Sequence, residues 1–143
     1  YGASGSVGTF AVQLARHLGA EVTGVCSTAN VALVQSLGAD RVIDYTQADF
    51  STRLERYDAI LDTVGKFPKS LVSPALAPNG RFESIAKLNT KQSVEELSFI
   101  KELIEAGAIR AVIDRRYPLA QATEAHRYVE AGHKKGNVIL NVV

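Results

Sequence analysis

Three glycines at three-residue intervals, Gly2, Gly5 and Gly8, lead into a stretch in which Val7, Phe10, Ala11, Leu14, Ala15 and Leu18 recur at helical spacing. Glycine costs chain entropy on folding, so three within eight residues need a reason. The reasons open to a loop of this kind are a sharp turn, a close approach to bare backbone, or tight packing of the helix on its neighbour. A helix entered from such a loop also presents its first N–H groups and the positive end of its dipole to whatever lies there. Gly19 stands where the helix needs a residue of positive φ, and residues 21–26, short, apolar and partly β-branched, read as a buried parallel strand.

The same alternation continues along the chain. Val31, Val34 and Leu37 face one side of a second helix that stops at Gly38, and Arg41 to Asp44 reads as a strand. Thr46 is placed to cap a short helix through Leu54. Tyr57 to Val64 is a stronger strand, Pro68, Pro74 and Pro78 break the segment after it, and Gly80 to Ala86 returns to strand. Ser93 and Glu96 have the spacing of a capping box, opening a helix with Val94, Leu97, Ile100 and Ile104 on its apolar face and Gly107 at its end. A strand at 109–113, a helix at about 120–131 and a strand at 138–143 complete the chain. Strands alternating with helices predict an α/β fold, a doubly wound parallel sheet covered on both faces.

Composition narrows the functions open to such a fold. The chain's 143 residues suit one domain, and 46% apolar with 22% charged residues is a globular balance. A net charge of +1 leaves no electrostatic footprint for nucleic acid or an anionic membrane surface. A single cysteine, Cys26, cannot form an internal disulfide, and its place in a buried strand predicts an inert thiol. His17, His126 and His133 are scattered without metal spacing, so no zinc or other metal site is expected. No apolar run is long enough to span a membrane and no signal-peptide pattern opens the sequence, so a cytoplasmic setting is expected. Arg115, Arg116, Arg127, Lys134 and Lys135 make the C-terminal part locally basic, which reads as a solvated face. Asp58 and Asp62 share a face of their strand, with Asp62 near its C-terminal edge.

Gly5 and Gly8 match the last two positions of the dinucleotide-binding fingerprint, with Ala3 where its first glycine would stand. The following helix, strand and helix supply the context that this pattern needs. No phosphate loop of the Gly-Lys-Ser/Thr type competes, since Gly65-Lys66 is followed by Phe67. The strand after the first helix ends in Cys26-Ser27-Thr28-Ala29-Asn30 without the carboxylate that commonly binds the adenosine ribose. Ser27 and Thr28 can donate to a 2′-phosphate, which favours NADP with NAD possible; no Arg or Lys occupies residues 26–30.

Residues 2–16, 36–45, 57–65 and 125–138 together resemble the medium-chain dehydrogenase/reductase superfamily, and within it the zinc-independent, quinone-oxidoreductase-like branch. The resemblance implies a Rossmann-type sheet in truncated form, lacking most of its first strand. Residues 1–108 would be the NAD(P)-binding domain and residues 109–143 a segment that in relatives packs on a catalytic domain. It also implies that Ser4, Gly5, Ser6, Val7 and Gly8 hold the pyrophosphate, that Ser27, Thr28 and Tyr45 lie near the adenosine ribose and its phosphate, and that Thr63, Ser84 and Ile85 line the cofactor towards the nicotinamide. Relatives carry more sheet and loop where residues 87–92 stand here. The activity implied is hydride transfer from NAD(P)H to a quinone, activated alkene or carbonyl, with no residue of this chain assigned as catalytic. A non-catalytic dinucleotide-binding or interaction module and an inert fragment are the other readings. Leu119, Ala122, Ala125, Tyr128, Val129 and Val138 to Leu140 are expected to expose apolar area, giving self-association or packing on another domain; a monomer by light scattering at high concentration would contradict this.

Overall fold

The computed structural model describes residues 1–47, 50–87 and 93–142. Helix α1 (Ser6–His17) leads to strand β1 (Thr23–Cys26), helix α2 (Val31–Ser36) and strand β2 (Arg41–Asp44). Strand β3 (Tyr57–Asp62), helix α3 (Lys69–Ala75) and strand β4 (Leu76–Ser84) follow. Helix α4 (Val94–Glu105), strand β5 (Ile113–Pro118), helix α5 (Ala122–Glu130) and strand β6 (Asn137–Asn141) complete the order. Short 3-10 turns occupy Thr28–Asn30, Phe50–Arg53 and Leu119–Gln121.

Every strand pair is parallel, as helical crossovers require. Among the described residues the strands form three two-stranded sheets, β1-β2, β3-β4 and β5-β6, in place of the continuous sheet expected. The reason lies between β1 and β3, where only Tyr1 to Ala3 bridge the two edges. Gly2 N and Ala3 N both donate to Val25 O at 3.0 Å, Tyr1 N donates to Leu61 O at 2.8 Å, and Thr63 N donates to Tyr1 O at 3.0 Å. The core gathers Ala3, Val12, Cys26, Val34 and Leu37, with Val22, Val42 and Val112 against it, so it welds the glycine loop to α1, β1 and α2.

Several boundaries differ from the sequence reading for identifiable reasons. Residues 21–22 stay outside β1 because Val22 N donates to the Asp40 carboxylate and Val22 O accepts from Asp40 N and Arg41 N. Thr46 caps no helix; its hydroxyl donates to Asp44 Oδ1 at 2.7 Å and only the Phe50–Arg53 turn forms, residues 48–49 of the expected helix lying outside those described. Pro68 stands at the N-cap of α3, which forms despite Pro74, and β4 begins at Leu76. The strand expected at 109–113 begins only at Ile113. Ile109 N still closes α4 onto Leu103 O, and Arg110 gives both backbone groups to the Gln13 side chain, at 2.9 and 3.0 Å. The capping box at Ser93 and Glu96 is present in both directions. Yet α4 buries Leu103 and leaves Val94, Leu97 and Ile104 exposed. On α5, Ala125 is buried whereas Val129 is exposed, as is Leu119 in the turn before it. Residues 88–92, in the short connection before α4, and Val143 of the last expected strand lie outside the described residues.

Candidate functional site

A cleft of about 480 Å³ opens at the C-terminal ends of β1 and β3, within the range of small-molecule sites. The glycine loop forms one wall. Gly2 has φ +83°, so it and not Ala3 makes the sharp turn, and a Cβ there would meet Val64 and Thr63 side chains at 2.4 and 2.7 Å. Gly8 is where the loop and α1 touch: a Cβ would lie 2.1 Å from Gly2 O. Gly5 has open space, its nearest neighbour being Gly2 O at 3.5 Å. It is also the N-cap of α1, with no side-chain cap and no acidic residue in the first turn, so the helix leaves its N-terminal N–H groups and dipole available to an anion.

The predicted residues divide into those that line the cleft and those that hold its frame. Ser4, Gly5, Ser27, Tyr45 and Thr63 line it. Thr63 Oγ1 nonetheless donates to Tyr1 O and Gly2 O, at 2.9 and 3.1 Å, which pins the loop. Ser6 opens α1 and donates to Gly136 O at 2.7 Å, Val7 is exposed on the first turn, and Gly8 is buried against the loop. Thr28, Ser84 and Ile85 are not part of the lining. Thr28 Oγ1 donates to the Asp44 carboxylate, and Ser84 is buried with its hydroxyl 3.3 Å from Asp62 Oδ2. Ile85 is exposed beyond β4, its N–H donating to Asp62 O at 3.0 Å.

Two carboxylates hold this frame. Asp44, at the end of β2, is buried outside the cleft lining, where its carboxylate accepts from Thr28 and from Thr46. Hydrogen bonds from Thr28 and Thr46 pull its pKa down to about 2. Asp62, at the C-terminal edge of β3, is buried and accepts from Val64, Gly65 and Phe67 N–H groups at 2.9–3.0 Å. Burial pushes its pKa up, but those donors and Ser84 outweigh burial and hold it below the ordinary carboxylate range. It shapes the turn after β3 and is no free acid or base. Cys26 is buried as expected, with its thiol pushed up to about 11 by burial and by Asp44.

The sequence reading missed the opposite wall. Gly132, His133, Lys134 and Lys135 line the cleft from the C-terminal turn, and Lys66 and Asn30 add to it. Lys134, read as part of a solvated face, is half-buried and donates from Nζ to Ser6 Oγ and to Gly136 O. Gly136 N also donates to Ser4 O at 2.8 Å. The turn is anchored from behind by Asp114, which accepts from Lys135 N at 3.0 Å and Tyr128 Oη at 2.6 Å. Two glycines of positive φ, Gly132 and Gly136, bracket this basic turn and are the sequence signal that could have found it. Asn30 Nδ2 reaches Ser4 Oγ and Ser27 Oγ, at 3.0 and 3.2 Å, while its Oδ1 is buried without a partner. Among the described residues the lining holds three lysines and one histidine and no carboxylate. An anion-seeking helix end and a bare glycine backbone therefore converge in one positive cleft.

A zinc-binding dehydrogenase family model matches residues 6–104, and a second model of the same description matches residues 84–140. The chain is 36% identical over 185 residues to the mouse (Mus musculus) protein named NAD(P)H oxidoreductase RTN4IP1, mitochondrial, covering 99% of this chain and 47% of that protein. It is 33% identical over 164 residues to the chloroplast envelope quinone oxidoreductase homolog of Arabidopsis thaliana, covering 96% and 50%. Both alignments are longer than the 143-residue chain, so the relatives carry segments it lacks. Among solved structures, the quinone oxidoreductase of Coxiella burnetii superposes with a TM-score of 0.82 at 27% identity, over 99% of this chain and 51% of that one. The chain spans about half the length of these relatives. It belongs to the zinc-binding dehydrogenase family, as a Rossmann-like cofactor-domain portion of a quinone-oxidoreductase-like member of the medium-chain dehydrogenase/reductase superfamily.

Proposed function

We propose that this chain is the NAD(P)H-binding part of an oxidoreductase that passes hydride to a quinone, an activated alkene or a carbonyl, with NADPH preferred. The observation that carries the reading is the acid-free, lysine-lined cleft in which Lys134 meets the first turn of α1. The bound nicotinamide would supply the hydride chemistry, and the protein's part is position. Gly5 lets the diphosphate approach main chain, α1 offers its N–H groups, and Lys134 supplies a charge-assisted partner. Ser27, Asn30 and Tyr45 surround the place for the adenosine ribose. Lys66 and Lys135 add the positive charge that a 2′-phosphate needs. The family description names zinc, but among the described residues no three of His, Cys, Asp and Glu gather where a metal could be held. Val94, Leu97 and Leu119, all exposed, support packing on a further protein surface, a second copy or a catalytic domain.

Titration of the chain with NADPH and with NADH, followed by nicotinamide fluorescence, tests the reading. Saturable binding with NADPH tighter is the expected result. Failure of both dinucleotides to bind would overturn it.

A further inference from the structure

The basic turn that walls the cleft is held by separate sets of bonds, and they restrain its two lysines differently. At the end of the turn Gly136 N donates to Ser4 O and Asn137 N to Val112 O, both at 2.8 Å, so the start of β6 stays in place without help from α5. Lys134 Nζ is fixed by Ser6 Oγ and Gly136 O. Lys135 lines the cleft and is exposed, and among the described residues no hydrogen bond or ion pair restrains its ammonium. Its tie is at the main chain, where Lys135 N donates to Asp114 Oδ2 at 3.0 Å.

The same carboxylate oxygen accepts from Tyr128 Oη at 2.6 Å, so one atom of β5 joins α5 to the turn. Tyr128 is itself restrained, since the Arg115 guanidinium lies 4.0 Å from the centre of its ring. Burial pushes the Asp114 pKa up, but the bonds from Tyr128 and Lys135 and the neighbouring Arg115 charge outweigh it and hold the group below the ordinary carboxylate range. An ionised carboxylate is an acceptor only, which suits both donors. A lysine carries its charge on a flexible four-carbon stem, so the ammonium is placed only as well as the main chain beneath it. Neither Tyr128 nor Asp114 lines the cleft, so their effect on a ligand passes through the turn.

On the reading of the cleft as an NADPH site, we propose that Tyr128 and Asp114 are positioning residues for cofactor selectivity: Tyr128 fixes the Asp114 carboxylate, which fixes the main chain of Lys135 and thereby aims its ammonium at the 2′-phosphate that distinguishes NADPH from NADH. Lys134, fixed by Ser6 and Gly136, serves the diphosphate that the two dinucleotides share. Helix α5 thus sets selectivity without touching the ligand.

The test is the ratio of NADPH to NADH affinity, measured by nicotinamide fluorescence on the 143-residue chain. Tyr128→Phe removes one hydroxyl and keeps the ring beneath Arg115. It should weaken NADPH binding by about threefold to tenfold and change NADH binding by less than about twofold. Asp114→Ala should lose at least as much NADPH affinity, again with NADH spared. In a Lys135→Ala background the preference for NADPH is already reduced, and adding Tyr128→Phe should change it by less than about twofold, because the residue through which the hydroxyl acts is gone. Lys135→Arg, which keeps the charge, should keep both the preference and its sensitivity to Tyr128→Phe. A Tyr128→Phe chain with the parent's ratio, equal losses for both dinucleotides, or an undiminished effect of Tyr128→Phe after Lys135→Ala would overturn the proposal. A parent chain that binds both dinucleotides equally would overturn it while leaving the cofactor site standing, whereas one that binds neither removes the site and this proposal with it.

Discussion

Gly8 and Gly5 are three residues apart in one loop, and the structure assigns them different penalties for the same added methyl. At Gly8 a Cβ would lie 2.1 Å from Gly2 O, 2.8 Å from Ala3 Cα and 2.9 Å from Ala3 C. Ordinary contact is about 3.5 Å, so the separation must grow by about 1.4 Å. All three neighbours are backbone atoms, and no rotamer relieves the contact. The shift would fall on the Gly2 carbonyl, which already accepts from Gly5 N and Thr63 Oγ1. Overpacking of this kind costs about 1–3 kcal/mol. For a chain of this length about 3 °C of Tm goes with each kcal/mol, so Gly8→Ala should melt roughly 3–9 °C below the parent. At Gly5 the nearest atom is 3.5 Å away and φ is −77°, so Gly5→Ala should keep its Tm to within about 2 °C, or gain slightly from a stiffer unfolded chain. Its methyl would instead point into the cleft and weaken NADPH binding, by about tenfold or more. Thermal unfolding without cofactor and fluorescence titration with NADPH separate the two effects. A Gly8→Ala variant melting within about 1 °C of the parent, or a Gly5→Ala variant losing as much Tm as Gly8→Ala, would refute the reasoning.

Other expectations rest on different contacts. Lys134→Ala should weaken NADPH binding by roughly 10- to 100-fold, the worth of a charged hydrogen bond, while Lys134→Arg keeps most of the affinity; a twofold or smaller loss for alanine would exclude a phosphate contact. Asp44 is depressed from 3.8 to about 2, so its contribution to stability is complete above the ordinary carboxylate pKa and is lost as pH falls towards 2. Melting temperatures measured from pH 5 to pH 2 should therefore fall less steeply for Asp44→Asn than for the parent, and equal slopes would contradict the assignment. Asp62→Asn should cost about 1–3 kcal/mol by urea unfolding, because an amide cannot accept from all four donors now bonded to the carboxylate; an unchanged midpoint would count against its role in the turn. Cys26, 1% exposed and pushed up to about 11, should resist a thiol-disulfide reagent at pH 8 in the native chain and react fully once unfolded.

The parts of this fold that could be read from sequence are those specified within a few residues. Glycine spacing ahead of an apolar periodicity gave away α1 and its loop. The Ser93 and Glu96 pair marked the start of α4, and glycines marked helix ends. Parallel pairing followed from the alternation of elements. What could not be read is which polar group each residue is matched with across the chain. Thr28, Thr63 and Ser84 are hydroxyls of the right type near the right strand ends, but their bonds go to Asp44, Tyr1 and Gly2, and Asp62. Lys134 and Lys135 looked like ordinary surface lysines because nothing adjacent in sequence shows that residue 6 stands beside residue 134. The β5 boundary was misplaced for the same reason, since Gln13, 97 residues away, claims the backbone of Arg110.

Ser6 and Lys134 are 128 positions apart, and Ser6 reaches Gly136 over 130. Loops of this span close slowly, and little is gained until they have closed, so the cleft should be among the last features to mature as the chain folds. A ligand seated between the helix start and the basic turn would then act as a clasp on the entire circuit. Its effect should register most strongly as slowed amide exchange along Asn137–Asn141, a strand that follows the lysine turn and lies at the opposite end of the sequence from the glycines.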